Sequence, residues 1–147
     1  MLRRILLLII FYLFYINTGL AEIFVVSSNA DSGPGTLREA LTKAAANGVT
    51  DKDYIRFNLP DLSEVGRTIT IQTRLPDITS NLIIDASTQP GQKLGVSSAR
   101  VSIICQVAQQ NFSGLKALNC EYIEIYSLYI KNMIITQPVD THQKVLI

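Results

Sequence analysis

Beyond Gly48 the pattern of apolar residues switches from a helical period to an alternating one and does not switch back. Alternation of this kind, bounded by turn residues, is the signature of half-buried β-strands. Tyr54 to Leu59, Arg67 to Gln72, Asn81 to Ala86, Val101 to Gln106 and Tyr122 to Asn132 are therefore predicted strands. Pro60-Asp61, Leu75-Pro76-Asp77 and Gln89-Pro90-Gly91 separate them as turns. Such a chain folds as mainly β.

Upstream lies a single helical pattern. Thr36 stands three residues before Glu39, a capping box in which hydroxyl and carboxylate each satisfy a main-chain N–H at a helix start. Leu37, Ala40, Leu41, Ala44 and Ala45 form one apolar face, and Asn47-Gly48 supplies the left-handed stop. Ile23-Phe24-Val25-Val26 reads as a strand before this helix. Gly33 and Gly35 lack the spacing of a phosphate-binding loop and read as a turn leading to the cap.

The first residues have another purpose. Met1-Leu2-Arg3-Arg4, the apolar run from Ile5 to Ile16 and the segment Asn17-Thr18-Gly19-Leu20-Ala21 have the layout of a secretory leader, with a mature chain expected to begin near Glu22. The run is shorter than the ~20 residues a membrane span needs. Localisation is therefore expected to be secreted or cell surface, with no membrane contact beyond export. A formal net charge of +1, without a dense run of Lys or Arg, argues against nucleic acid as a partner. Export permits a disulfide between Cys105 and Cys120, and two buried thiols are the alternative.

"NLIIDA", "VSIICQ" and "YIEIYS" read as one repeated phrase, placing Ile84, Ile103 and Ile125 in equivalent positions about twenty residues apart, the size of one solenoid coil. Inside the last run the alternation shifts phase between Ile125 and Leu128, as a corner at Tyr126-Ser127 would cause. The expected fold is a right-handed parallel β-helix of a few coils with an N-terminal capping α-helix. On that reading residues 1–21 are the leader, 22–53 the first strand and capping helix, 54–133 the coils, and 134–147 an irregular tail at a truncation point. The coil without a cap would be an open edge, so self-association through it is expected.

"NADSGPGTLREAL", "YIRFNLP", "TITIQTRLPDIT" and "LIIDASTQPG", in that order, resemble the N-terminal region of secreted bacterial right-handed parallel β-helix proteins of pectate-lyase-like architecture. The resemblance runs through Met133 and implies an exported fold, often one module of a longer chain. It does not imply one activity, since that architecture carries lyases, hydrolases and adhesins.

Candidate chemistry is sparse. A lyase would need clustered carboxylates for calcium and a basic residue as proton acceptor. Asp77 and Asp85, with Arg74 and Arg100, are the available set, and each aspartate is more simply a turn former. His142 is the single histidine, Cys105 and Cys120 lie too far apart for a C-x-x-C pair, and Asn111-Phe112-Ser113 reads as a loop. No catalytic residue, metal ligand or cofactor is assigned. Tyr122, Glu124, Tyr126 and Tyr129, with Lys131, are expected outward on the last coil, where tyrosine rings beside a carboxylate suit a sugar. The expected function is thus a non-catalytic part of an exported protein, in adhesion or glycan contact, its partners a polysaccharide or further coils. The alternatives are a fragment of a polysaccharide lyase or glycosidase, and a truncated remnant without independent function.

Overall fold

The computed structural model describes residues 20–106, 113–118, 120–131 and 134–136. Strands β1 (Ile23–Val26), β2 (Asp53–Phe57), β4 (Leu82–Asp85) and β7 (Ile123–Tyr126) form one sheet in that order. Strands β3 (Thr68–Ile71), β5 (Val101–Cys105) and β8 (Leu128–Lys131) form a second, and β6 (Ser113–Lys116) pairs with β9 (Ile134–Thr136). Every pairing is parallel. One helix, α1 (Leu37–Asn47), and a 3-10 turn (Ala86–Thr88) complete the described elements.

The expected β-helix is corrected by this arrangement, which consists of small parallel sheets of four, three and two strands with one helix. Register gives the physical reason. Phe24 aligns with Ile55, Ile55 with Ile84, and Ile84 with Ile125, so the spacing between paired positions is uneven and no constant repeat stacks. The three similar phrases are not equivalent either. Ile84 and Ile125 are neighbours in the first sheet, whereas Ile103 sits in the second between Ile69 and Ile130. Ile134–Thr136, within the tail expected to be irregular, is a strand.

Parallel sheets usually bury both faces. Here burial alternates along β2, β3 and β4, so their side chains are divided between a core face and an outer face. Phe24, Val26, Ile55, Phe57, Leu82, Ile84 and Ile123 from the first sheet join Ile69, Ile71, Val101 and Ile103 from the second in one core. Each of the larger side chains contributes about 1.5–3 kcal/mol by leaving water.

Helix α1 packs on β1 and β2 and adds Leu37, Ala40, Leu41 and Ala44 to that core. Thr36 is its N-cap, with Oγ1 accepting from the Glu39 N–H. The Glu39 carboxylate reaches back one residue further, accepting from the Gly35 N–H at 2.6 Å. Gly48, at φ 100°, ends the helix. Arg38 fastens this corner, giving its guanidinium to the Asp31 carboxylate and carbonyl and to the carbonyls of Thr73 and Arg74. The D-S-G-x-G-T-L-R stretch is thereby a turn, a cap and a clamp.

Candidate functional site

The outer face of the second sheet carries rows set by the strand register. Thr68, Ser102 and Tyr129 align across β3, β5 and β8, and Thr70, Ile104 and Lys131 form the next row. The first row presents two hydroxyls and a phenol side by side, because polar residues occupy the alternate positions that face away from the core.

Two clefts open on this face and share Glu64 and Thr68 in their walls. One, of about 380 Å³, is flanked by Asn29, Val65 and Thr70. The other, of about 360 Å³, has Ser102, Ile104, Tyr129 and Lys131 on the sheet side and the 94–97 turn opposite. Tyr129 is half exposed, at 50%, and Val96 on the facing turn stands fully in solvent. Ser102, also in its lining, is buried.

The turn leading to this site has its own supports. Asp61 accepts from the Ser63 N–H at 2.9 Å, and that bond holds its carboxyl below the usual range. Ser63 Oγ in turn accepts from the Gly66 N–H, and Thr68 Oγ1 donates to the Glu64 carbonyl at 2.7 Å. Buried Arg67 donates to the carbonyls of Ser63, Gln92 and Arg100. One guanidinium thus joins the turn before β3, which carries Glu64, to the segment before β5, which carries the 94–97 turn of the cleft.

The residues expected to form one tyrosine surface are divided. Ser127 takes φ 54°, a left-handed corner between β7 and β8, and the chain passes there from the first sheet to the second. Tyr129 lies in the cleft wall. Glu124 and Tyr126 lie on the outer face of the first sheet, opposite Ile83 and Asp85. Tyr126 donates its hydroxyl to the Glu124 carboxylate at 2.5 Å. This bond, then burial and the nearby carboxylates, pushes the phenol above the ordinary tyrosine value. Tyr122 has its ring under the Lys52 ammonium, 3.3 Å from the centroid.

The weighed acid and base candidates are occupied locally. Asp77 is ion-paired with Arg74, and Asp85 caps the 3-10 turn by accepting from the Ser87 N–H. Arg100 donates to the carbonyls of Gln89 and Gly91. Cys105 closes β5 beside Ile71, and Cys120 Sγ lies 3.8 Å from the Ile78 carbonyl, both residues buried. His142, Asn111 and Phe112 fall outside the described residues. Among the described residues no group of three or more His, Cys, Asp or Glu could hold a metal ion, and no helix is long and apolar enough to cross a membrane.

Sequence reasoning placed Tyr129 and Lys131 outward but missed Glu64, Thr68, Ser97 and Ser102. The polar alternates of "RTITIQ" and "VSIICQ" mark the outer face, but their adjacency follows from the pairing of β3 with β5 across more than thirty intervening positions. Compared with family models, with curated proteins and with solved structures, the chain has no match in any of the three.

Proposed function

We propose that the chain is an exported, non-catalytic glycan-contact protein that seats a sugar in the cleft beside Tyr129. The observation that carries this reading is the Thr68–Ser102–Tyr129 row, open to a cleft that Glu64 and Lys131 also line. A sugar ring packs its C–H face on an aromatic ring and offers its hydroxyls to polar neighbours. The hydroxyls, the carboxylate and the ammonium here supply both donors and acceptors. Glu64 is the one carboxylate among the described lining residues, a set for hydrogen bonding, where glycoside hydrolysis uses two carboxylates across the scissile bond. The leader layout of residues 1–21 supports export.

A glycan array probed with the exported protein, followed by calorimetric titration of each ligand found, tests the reading. Tyr129→Ala should weaken binding about tenfold, the worth of one stacked ring. Tyr126→Ala, on the other sheet, should leave it unchanged. An array without a ligand, or equal binding by Tyr129→Ala, would refute the proposal.

A further inference from the structure

Asp53 opens β2 with 1% of its surface exposed. None of the ion pairs among the described residues includes it. Its Oδ1 accepts from the Glu22 N–H at 3.0 Å and from the Asn47 side-chain amide at 2.8 Å. Its Oδ2 is buried without a hydrogen-bond partner. An orphaned carboxylate oxygen in a core is costly, and the remedy is another donor, best a cationic one.

The nitrogen of Glu22 is already in place to become that donor. As an amide it has one hydrogen, and this is committed to Oδ1. As a chain terminus it would have three, with a positive charge. The sequence expects a cut at this bond, after the small residues Gly19 and Ala21 of Gly-Leu-Ala. Leu20, Ala21 and Glu22 are all exposed, so the bond is open to a peptidase.

We propose that hydrolysis of the Ala21–Glu22 bond by a leader peptidase creates an α-ammonium that pairs with buried Asp53, so that removal of the leader completes a partly buried ion pair. Water supplies hydroxyl to the Ala21 carbonyl carbon as the C–N bond breaks. The nitrogen of Glu22 takes one proton from that water and a second from solvent to become the ammonium. One N–H stays on Oδ1, and another is available to Oδ2. Asn47, the last residue of α1, donates its side-chain amide to the same Oδ1, and the Glu22 carbonyl accepts from the Tyr54 N–H at 2.8 Å. The pair therefore ties the entry of β1, the entry of β2 and the end of α1 together. The inference rests on the leader reading for the position of the cut and is independent of the cleft.

The test starts from the full chain expressed with its leader in an exporting host. N-terminal sequencing of the product should begin at Glu22; a product beginning elsewhere, or an uncut chain, overturns the proposal. On the folded mature protein, acylation of the α-amine should be about tenfold slower than on the urea-unfolded chain, since pairing with the Asp53 carboxylate keeps the amine protonated. Nα-acetylation should lower the urea midpoint of the wild-type protein and have little effect on Asp53→Asn. Equal acylation rates in the folded and unfolded chains, or an equal drop on acetylation in Asp53→Asn, would sink the idea. Should Asp53→Asn fail to fold, the acylation rates of the wild-type protein alone decide it.

Discussion

Gln89 and Leu59 are joined by both ends of one side-chain amide: Oε1 accepts from the Leu59 N–H at 2.7 Å, and Nε2 donates to the Leu59 carbonyl at 3.1 Å. A side chain here does what a neighbouring strand would do, continuing the ladder past the end of β2. Thr88 acts similarly one step earlier, its Oγ1 accepting from the Phe57 N–H at 2.9 Å. The Thr-Gln-Pro-Gly turn is thus a main-chain substitute built from two side chains. Gln89 is 1% exposed, so Gln89→Ala leaves two buried groups of Leu59 unpaired. The expected loss is about 2–4 kcal/mol in urea unfolding. Gln89→Glu should also destabilise, because a carboxylate cannot donate to the Leu59 carbonyl.

Gly35 has φ 73°, and a Cβ there would lie 2.5 Å from Ser27 Oγ. Its carbonyl also accepts from the N–H groups of Ser27 and Ser28, which fixes it against the end of β1. Gly35→Ala should cost about 2–4 kcal/mol, of which the left-handed backbone accounts for about 1–2 kcal/mol. Adding Ser27→Ala should recover the part due to the clash and leave the backbone part. Equal stability of the single and double variants in urea unfolding would show the clash to be relieved by other means.

The Glu39 carboxyl is held below its ordinary value, first by the Gly35 N–H and then by Lys43 at 3.0 Å. A lowered folded value makes the contribution fully present above the unfolded glutamate pKa and lost as pH falls through the folded one. Stability should therefore decline on the acid side of about pH 4, where free glutamate titrates. Glu39→Gln should flatten this decline in an acid titration followed by circular dichroism. Asp61 is lowered in the same direction by Ser63, so part of the slope should remain.

Tyr126 moves the other way. Its phenol is raised, chiefly by donating to Glu124, so the bond stabilises the fold below the ordinary tyrosine pKa and is lost as pH rises through the folded value. Ultraviolet titration should show one tyrosine ionising late in the wild-type protein. Glu124→Ala should bring that tyrosine back toward the ordinary range, with a remainder from burial and Asp85.

Local structure was legible wherever its cause was local. The Thr36 to Glu39 spacing and the apolar face from Leu37 to Ala44 locate the helix, and alternation locates β2, β3, β4 and β5 to within a residue or two. The phase shift after Ile125 marks the Ser127 corner. What that corner does to the chain was not legible, because a shift in phase does not say which sheet the next strand joins. Tyr126 and Tyr129 therefore read as one surface although they belong to two. Similar wording around Ile84, Ile103 and Ile125 suggested a repeat, yet β-branched runs recur in strands of any sheet. Asp53 and Gln89 look like surface residues in the sequence, and their burial follows from main-chain partners thirty or more positions away.

The cleft beside Tyr129 is tested most directly by NMR chemical-shift mapping of the mature protein, titrated with the best ligand from the array. Shifts concentrated at Glu64, Thr68, Ser97, Ser102, Tyr129 and Lys131, and lost in Tyr129→Ala, are the predicted result. Shifts centred on Tyr122, Glu124 and Tyr126, or spread without a focus, would contradict the account.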